Sequence, residues 1–427
     1  MKTVDYLIWI IVITLPFQLA LNLGNGVDLL FVRVLIPIVF VFWLLRGLGG
    51  KNITIPFSVV TALVALFIFL TALSLFFAIK PELGTRKMVY YVSILPLFFV
   101  AADIFREDKA RKTGLKLVII SGFLGSLVGI FQFISQFIFG LEPTLNFLRK
   151  AAPHFLGQSF GELVMQNSSW LVNISGHTVL RAFGFFSDPH VYSFFETLTF
   201  FVALGYFIGA KKRKEKIFCG AALICMASAI AFSFSRGAYM GMLIGMMFFV
   251  VLLLFKKGWL AKGLLIASIF LVVLFAVSRT TILARLSSSF NLREGSNAER
   301  IKNWEQAYEV ITYYPLIGVG LGNYASVVNS EAKERSSIYA HNTYLDIASE
   351  TGIANALLFT LMILSMVKRQ IQFGSSVNLG IAAALVYFLA HSVFDTPLFS
   401  PQVLSMLLVI LALGLYTFKG VEQKRTA

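Results

Sequence analysis

An all-α polytopic membrane protein is the fold class this sequence predicts, and three observations predict it. Of 427 residues, 58% are hydrophobic and only 13% are charged, against about 25% charged in soluble domains. Mean hydropathy is +0.81. The apolar residues fall in runs of about 20, the length of a helical span, whereas a β-barrel would show short alternating segments. About twelve transmembrane helices are expected, at roughly 5–23, 28–46, 57–79, 87–105, 115–139, 190–210, 217–234, 238–255, 264–281, 343–366, 377–395 and 400–418. They make a single integral membrane domain over 1–427.

The first run, Tyr6 to Leu23, has the length of a signal peptide but no strong small-residue cleavage site, so it is expected to stay as an uncleaved helix. The basic loops set the orientation. Arg106 to Lys112, Lys211 to Lys216, Lys256-Lys257, Lys368-Arg369 and Lys424-Arg425 all fall on one side, which the positive-inside rule makes cytoplasmic with both termini. Lys80, Arg86 and Lys87 fall on the other side; Arg86 and Lys87 either belong to a site or snorkel from a helix end. Arg33 lies within the second span. The net charge of +15 is spread between loops and matches anionic lipid headgroups rather than nucleic acid. Cys219 and Cys225 stand six apart in one apolar helix, on different faces, which argues against a disulfide and for core packing.

Two long segments fall on the outer face, about 140–189 and 280–342. The second forms a large polar loop. In it Ile301, Trp304, Tyr308 and Ile311 recur at helical spacing, so 299–313 reads as an amphipathic helix, lying on the membrane or capping the bundle. Pro315 ends it and Gly318 to Gly322 makes a tight turn.

The polar residues on that outer side carry the candidate chemistry. Arg236, in Ser233-Phe234-Ser235-Arg236-Gly237-Ala238, sits at the membrane boundary, where a guanidinium fork can grip a phosphate; the alternative is an arginine snorkelling to headgroups. Arg300 stands on the amphipathic helix, and Arg279, Arg285, Arg293 and Arg335 share its loop, although outer loops are ordinarily poor in basic residues. His341 opens the tenth span and has the ordinary pKa of a general base; a capping role is the plainer alternative. Asp346 and Glu350 follow at helical spacing, as orienting carboxylates or a polar helix face. The Gly318–Gly322 run matches a phosphate-cradling loop only loosely, because it follows a helix rather than a strand. No outer-face carboxylate cluster with metal spacing is present, so an arginine-based phosphate site without metal or cofactor is expected.

These blocks resemble the O-antigen ligase family of bacterial inner-membrane proteins, whose superfamily also includes O-antigen polymerases. The match lies in Ser233 to Ala238; in Arg300 through Trp304 into Pro315-Leu316-Ile317-Gly318-Val319-Gly320-Leu321-Gly322-Asn323; and in Ala340 to Leu345 with Glu350 to Ile353. Arg181 to Pro189 forms a weaker fourth block, in which Asp188-Pro189-His190 replaces an Asn-Pro-Asn type of turn. The resemblance implies a metal-independent glycosyltransferase with its active site facing the periplasm. The donor it implies is a glycan on undecaprenyl diphosphate, and the acceptor lipid A–core or another glycan. It also implies Arg236 and Arg300 on the diphosphate and His341 at the acceptor hydroxyl; apart from the resemblance, Arg181, Arg279, Arg285 and Tyr344 are further substrate-binding candidates. With no outer-face acid standing out as a nucleophile, single displacement with inversion is the expected route. A polymerase, a protein oligosaccharyltransferase and, from another class, a lipid-linked oligosaccharide flippase remain as alternatives; a purely structural protein would leave the outer arginines and His341 unexplained.

Overall fold

The computed structural model describes residues 2–22, 28–50, 53–166, 169–174, 176–256, 266, 295–330 and 338–418. The helices in chain order are α1 (Lys2–Thr14), α2 (Phe31–Leu48), α3 (Val59–Leu73), α4 (Pro81–Val92), α5 (Pro96–Ile104), α6 (Asp108–Phe139), α7 (Leu141–Leu156), α8 (Gln158–Gln166), α9 (Pro189–Gly209), α10 (Arg213–Phe232), α11 (Arg236–Phe255), α12 (Gly295–Tyr313), α13 (Tyr324–Val328), α14 (Thr343–Thr351), α15 (Ile353–Phe373), α16 (Ser376–His391) and α17 (Pro401–Gly414). Two short antiparallel hairpins accompany them: β1 (Ala20–Asn22) pairs with β2 (Asp28–Leu30), and β3 (Leu171–Ile174) with β4 (His177–Leu180).

Among the described residues, eight helices are long and apolar enough to cross a membrane: Phe31–Leu48, Val59–Phe77, Pro81–Ile104, Asp108–Phe139, Pro189–Gly209, Arg213–Phe232, Arg236–Phe255 and Ile353–Phe373. Three shorter apolar helices, Val4–Thr14, Ser376–His391 and Pro401–Gly414, stand at three more of the expected spans. The expected span at 264–281 lies outside the described residues. Among the described residues three expected spans are interrupted, the fourth span between Val92 and Pro96. The first ends at Thr14, where Pro16 supplies no amide to continue the ladder and restricts the residue before it. The tenth splits at Gly352, whose φ of +91° favours glycine. Its first piece, α14, is too polar for lipid and packs inside the protein, with Asp346, Ser349 and Glu350 buried.

Helix α9 is the axis of the bundle, with almost every residue covered. It packs against α16, where Gly205 and Gly380 meet backbone to backbone: a Cβ added to Gly205 would lie 2.9 Å from Gly380 Cα. Such small-residue crossings let membrane helices approach closely. Against α6 the same device recurs, with Gly125 and Gly129 facing Glu196 and Tyr192 of α9.

The segment at 140–189, expected on the outer face, holds α7 and α8 ahead of the β3–β4 hairpin. Helix α12 covers the expected amphipathic stretch, with a rotated face. Ala307, Val310 and Ile311 are buried, whereas Tyr308 is 70% exposed. Cys219 is buried and Cys225 half-buried, both as free thiols.

Candidate active site

Four chain reversals at one end of the bundle build the site. The first precedes α9: Asp188 caps it, accepting from the amides of His190 and Val191 at 2.9 Å each, with Pro189 in the first turn, where a missing amide costs nothing. The second joins α10 to α11. Phe234 there has φ of +47°, and Ser235 caps α11 by accepting from Ala238 N. Arg236 is the first residue of α11 and only 7% exposed.

The third reversal carries His341 at φ +50°. A non-glycine side chain in this left-handed region is held against local steric cost, and the holding groups are visible. Asp346 Oδ1 accepts from Ala340 N at 2.8 Å, Asn342 caps α14 through Tyr344 N and Leu345 N, and Thr343 N donates to Ser392 O at 2.8 Å. The fourth reversal, 392–400, is stitched to the third: Thr343 Oγ1 donates to Asp395 O at 2.8 Å, and Thr396 Oγ1 to Asp346 Oδ2. Asp346 thereby fastens two site loops together.

Asp395 is the centre of this arrangement. Its Oδ1 lies 3.7 Å from His341 Nδ1 and its Oδ2 lies 3.9 Å from His190 Nδ1. Burial works against its charge, yet His341, His190 and Arg300 outweigh that and hold its carboxyl well below the usual carboxylate range. Burial likewise lowers His341, but the Asp395 partner outweighs it, so the imidazole is raised above its ordinary value of 6.5. Arg300 is lowered by burial, with Arg236 pushing the same way and Asp395 opposing. A guanidinium stays charged throughout, so Arg236 repels Arg300 here while Asp395 and Glu299 attract it. Asp188 is raised by burial and by Asp395.

Of the sequence candidates, His341 and Arg300 thus act on Asp395, and Arg236 acts on Arg300. Arg181 is buried beside them, but donates to two backbone carbonyls, Ser233 O at 2.7 Å and Ser169 O at 2.9 Å, and so shapes the Ser233–Arg236 turn. The Tyr344 hydroxyl donates to Leu389 O at 2.7 Å. Arg279 and Arg285, with Arg293 and Arg335, lie outside the described residues. Lys87 is ion-paired with Glu350 at 2.6 Å and sits 3.9 Å over the Phe399 ring. Arg33, in the first turn of α2, donates to Ser93 Oγ at 3.1 Å. The glycine run is a packing device. Gly318, Gly320 and Gly322 all have positive φ and admit the backbones of Glu350, Ala78 and Leu83, while Val319 N donates to Ser349 O at 2.8 Å.

Asp395 and its proximity to His190 are what sequence reasoning missed. Asp395 closes an apolar run and reads as the end of a span; the available signal was Phe394-Asp395-Thr396-Pro397, an acid held at a helix exit by a following proline. Asp346 proves to be an orienting carboxylate. The expectation that no outer-end acid stands out is corrected by Asp395, which cannot be recognised until the third and fourth reversals are folded together. Among the described residues, no group of three or more His, Cys, Asp or Glu side chains is placed to hold a metal ion.

Fold and site define the class: a helical membrane protein with a histidine–carboxylate–arginine cluster at one end of its bundle. Residues 221–360 match the family model described as O-Antigen ligase, which supports the O-antigen ligase family for this chain. That segment holds Arg236, Arg300 and His341. The family is one of membrane glycosyltransferases of O-antigen ligase or polymerase type. No curated protein matches the chain.

Proposed function

We propose that this protein transfers a glycan from undecaprenyl diphosphate to a sugar hydroxyl of lipid A–core, at the periplasmic face of a bacterial inner membrane. The observation that carries this reading is the convergence of His341 with Arg300 on Asp395, and of Arg300 with Arg236. The bond from anomeric carbon to diphosphate is already activated. What the protein must add is charge stabilisation on the leaving diphosphate and removal of the acceptor proton.

Arg236 and Arg300 take the diphosphate. Forked guanidiniums suit its oxygens, and fixed donors aimed at developing charge give the largest single term in most transfers. His341 takes the acceptor hydroxyl proton on the nitrogen remote from Asp395, as the hydroxyl oxygen attacks the anomeric carbon and the diphosphate departs. Asp395 stabilises the imidazolium. Its two oxygens face two imidazoles, which favours a partner's role over a nucleophile's and keeps the route a single displacement with inversion, without metal.

The test is turnover by purified protein with lipid-linked donor, against three acceptors: lipid A–core, a second lipid-linked repeat unit, and a pilin-like protein. Lipid A–core product that is lost in His341→Ala and Arg236→Ala is expected. Wild-type turnover in either variant removes the mechanism, and product on another acceptor alone replaces the ligase reading with a polymerase or protein-glycosylating one.

A further inference from the structure

His190 stands between the two halves of the site. Its Nδ1 lies 3.0 Å from Ser235 Oγ and 3.9 Å from Asp395 Oδ2. Ser235 is the residue that caps α11 and so fixes the backbone from which Arg236 projects. Asp395 is the partner of His341. We propose that His190 is a positioning residue that couples the anion-binding end of the site, through Ser235, to its base, through Asp395. The inference rests on the diphosphate reading above for what Arg236 binds, but not for the strut itself.

The geometry allows this in both states of the ring. Ser235 Oγ accepts from Ala238 N, which leaves the hydroxyl hydrogen free to donate to an unprotonated Nδ1. When Nδ1 carries a proton, that proton lies between Ser235 Oγ and Asp395 Oδ2. Burial biases the choice first, and charged or titratable groups on several elements add to it: Arg181 before α9, Asp395 after α16, Arg300 from α12, and His391 at the end of α16. His391 itself is buried, stacked 3.6 Å from the Phe194 ring and bonded through Nδ1 to Tyr387 OH at 2.7 Å. Behind the strut, Gly237 closes on the His391 ring, 2.8 Å from Nε2 to an added Cβ, so the α11 terminus is held from its far side as well. Phe234 sits in the left-handed region one residue before Ser235, and a turn under that cost needs holding.

Two readouts on the full chain in nanodiscs test this. Hydrogen exchange over 233–239 reports the strut without any ligand, and binding of undecaprenyl diphosphate, the leaving group without its glycan, reports the anion site. In His190→Ala, exchange over 233–239 is expected to speed and binding to weaken by about tenfold, the loss of one hydrogen bond near a charged site. His190→Asn keeps a short polar group near Ser235 and is expected to recover most of both, while losing the part of the binding that changes with pH as an imidazole titrates. Unchanged exchange in His190→Ala overturns the strut. Faster exchange with unweakened binding overturns the coupling. Absence of undecaprenyl diphosphate binding in the wild type removes the diphosphate reading and, with it, the coupling, while the exchange result still decides the strut.

Discussion

At the scale of single residues, the site turns on which charges share Asp395. His341 is raised above 6.5 because Asp395 outweighs its burial. A general base works only when neutral, so activity should fall as pH drops through a value above 6.5. In Asp395→Asn the imidazole loses the partner that raises it. The acid limb of kcat should then move to lower pH, while the rate on the plateau drops because the imidazolium is less stabilised. A pH–rate profile measured on both proteins checks this, and an acid limb that stays in place would show that His341 is not the titrating base. Arg236→Lys keeps the charge but loses the fork. A fall in kcat/KM of about tenfold or more for the lipid-diphosphate donor is expected, and a lysine variant of full activity would assign Arg236 a bulk electrostatic role. His341, Arg236 and Arg300 could be singled out as candidates in the sequence because a polar residue in an apolar chain has few structural excuses. Arg181 stood out for the same reason, and two of its nitrogens, Nε and Nη1, go to the carbonyls of Ser233 and Ser169. Composition does not show that an arginine also braces a turn.

At the scale of elements, α14 explains why a histidine can be held in a costly conformation. The helix is short, starts on the Asn342 cap and ends at Gly352, and its Asp346 ties Ala340 on one side to Thr396 on the other. Burial pushes the Asp346 carboxyl up to about 6, from 3.8. Between these values the folded state holds a proton that the unfolded state has released. Stability should therefore fall as pH rises from about 4 to 6, by at most about 3 kcal/mol. Asp346→Asn should flatten that dependence and also lower turnover, because an amide cannot accept from both Ala340 N and the Thr396 hydroxyl with the same oxygens. Thermal unfolding in detergent at pH 4.5 and 7 is the measurement; an equal pH response in both proteins would mean that Asp346 ionises normally. The glycine run is the second element-scale device. Gly320 has φ of +90° and accommodates the Ala78 backbone, so Gly320→Ala should lower stability by about 1–3 kcal/mol through conformational strain, with clash adding to it. Sequence reasoning found this turn and its helix. It missed that the turn's purpose is contact with α14, since that contact joins residues far apart in the chain. The same distance hid the partnership of His341 with Asp395.

At the scale of the whole molecule, the two ends of the bundle differ in kind. At one end the basic segments meet: Lys116 pairs with Glu215 at 3.1 Å, Lys256 reaches Gly374 O, Arg369 donates to Leu415 O at 2.9 Å, and Arg111 lies 5.6 Å from the Tyr416 ring centroid. Helices α9, α11 and α15 run from the site end to this basic end, and α10 and α16 run back. That alternation was readable from hydropathy and basic loops alone, because both are local properties; breaks at Pro16 and Gly352 were not, because a broken span has the same composition as a whole one. In the orientation proposed from the positive-inside rule, the basic end lies in the cytoplasm and Asp395, His341, Arg236 and Arg300 lie outside. Glu299, exposed beside Arg300 on α12, and Lys212, exposed before α10, are suitable reporters. In intact spheroplasts a membrane-impermeant maleimide should label Glu299→Cys at once and Lys212→Cys only after permeabilisation. The opposite pattern would put the site in the cytoplasm, where a donor presented outside the membrane could not reach it. An outward site, if the labelling places it there, would explain why transfer draws on a diphosphate ester already made: nucleotide-activated sugars belong to the other compartment, and the lipid carries the activation across.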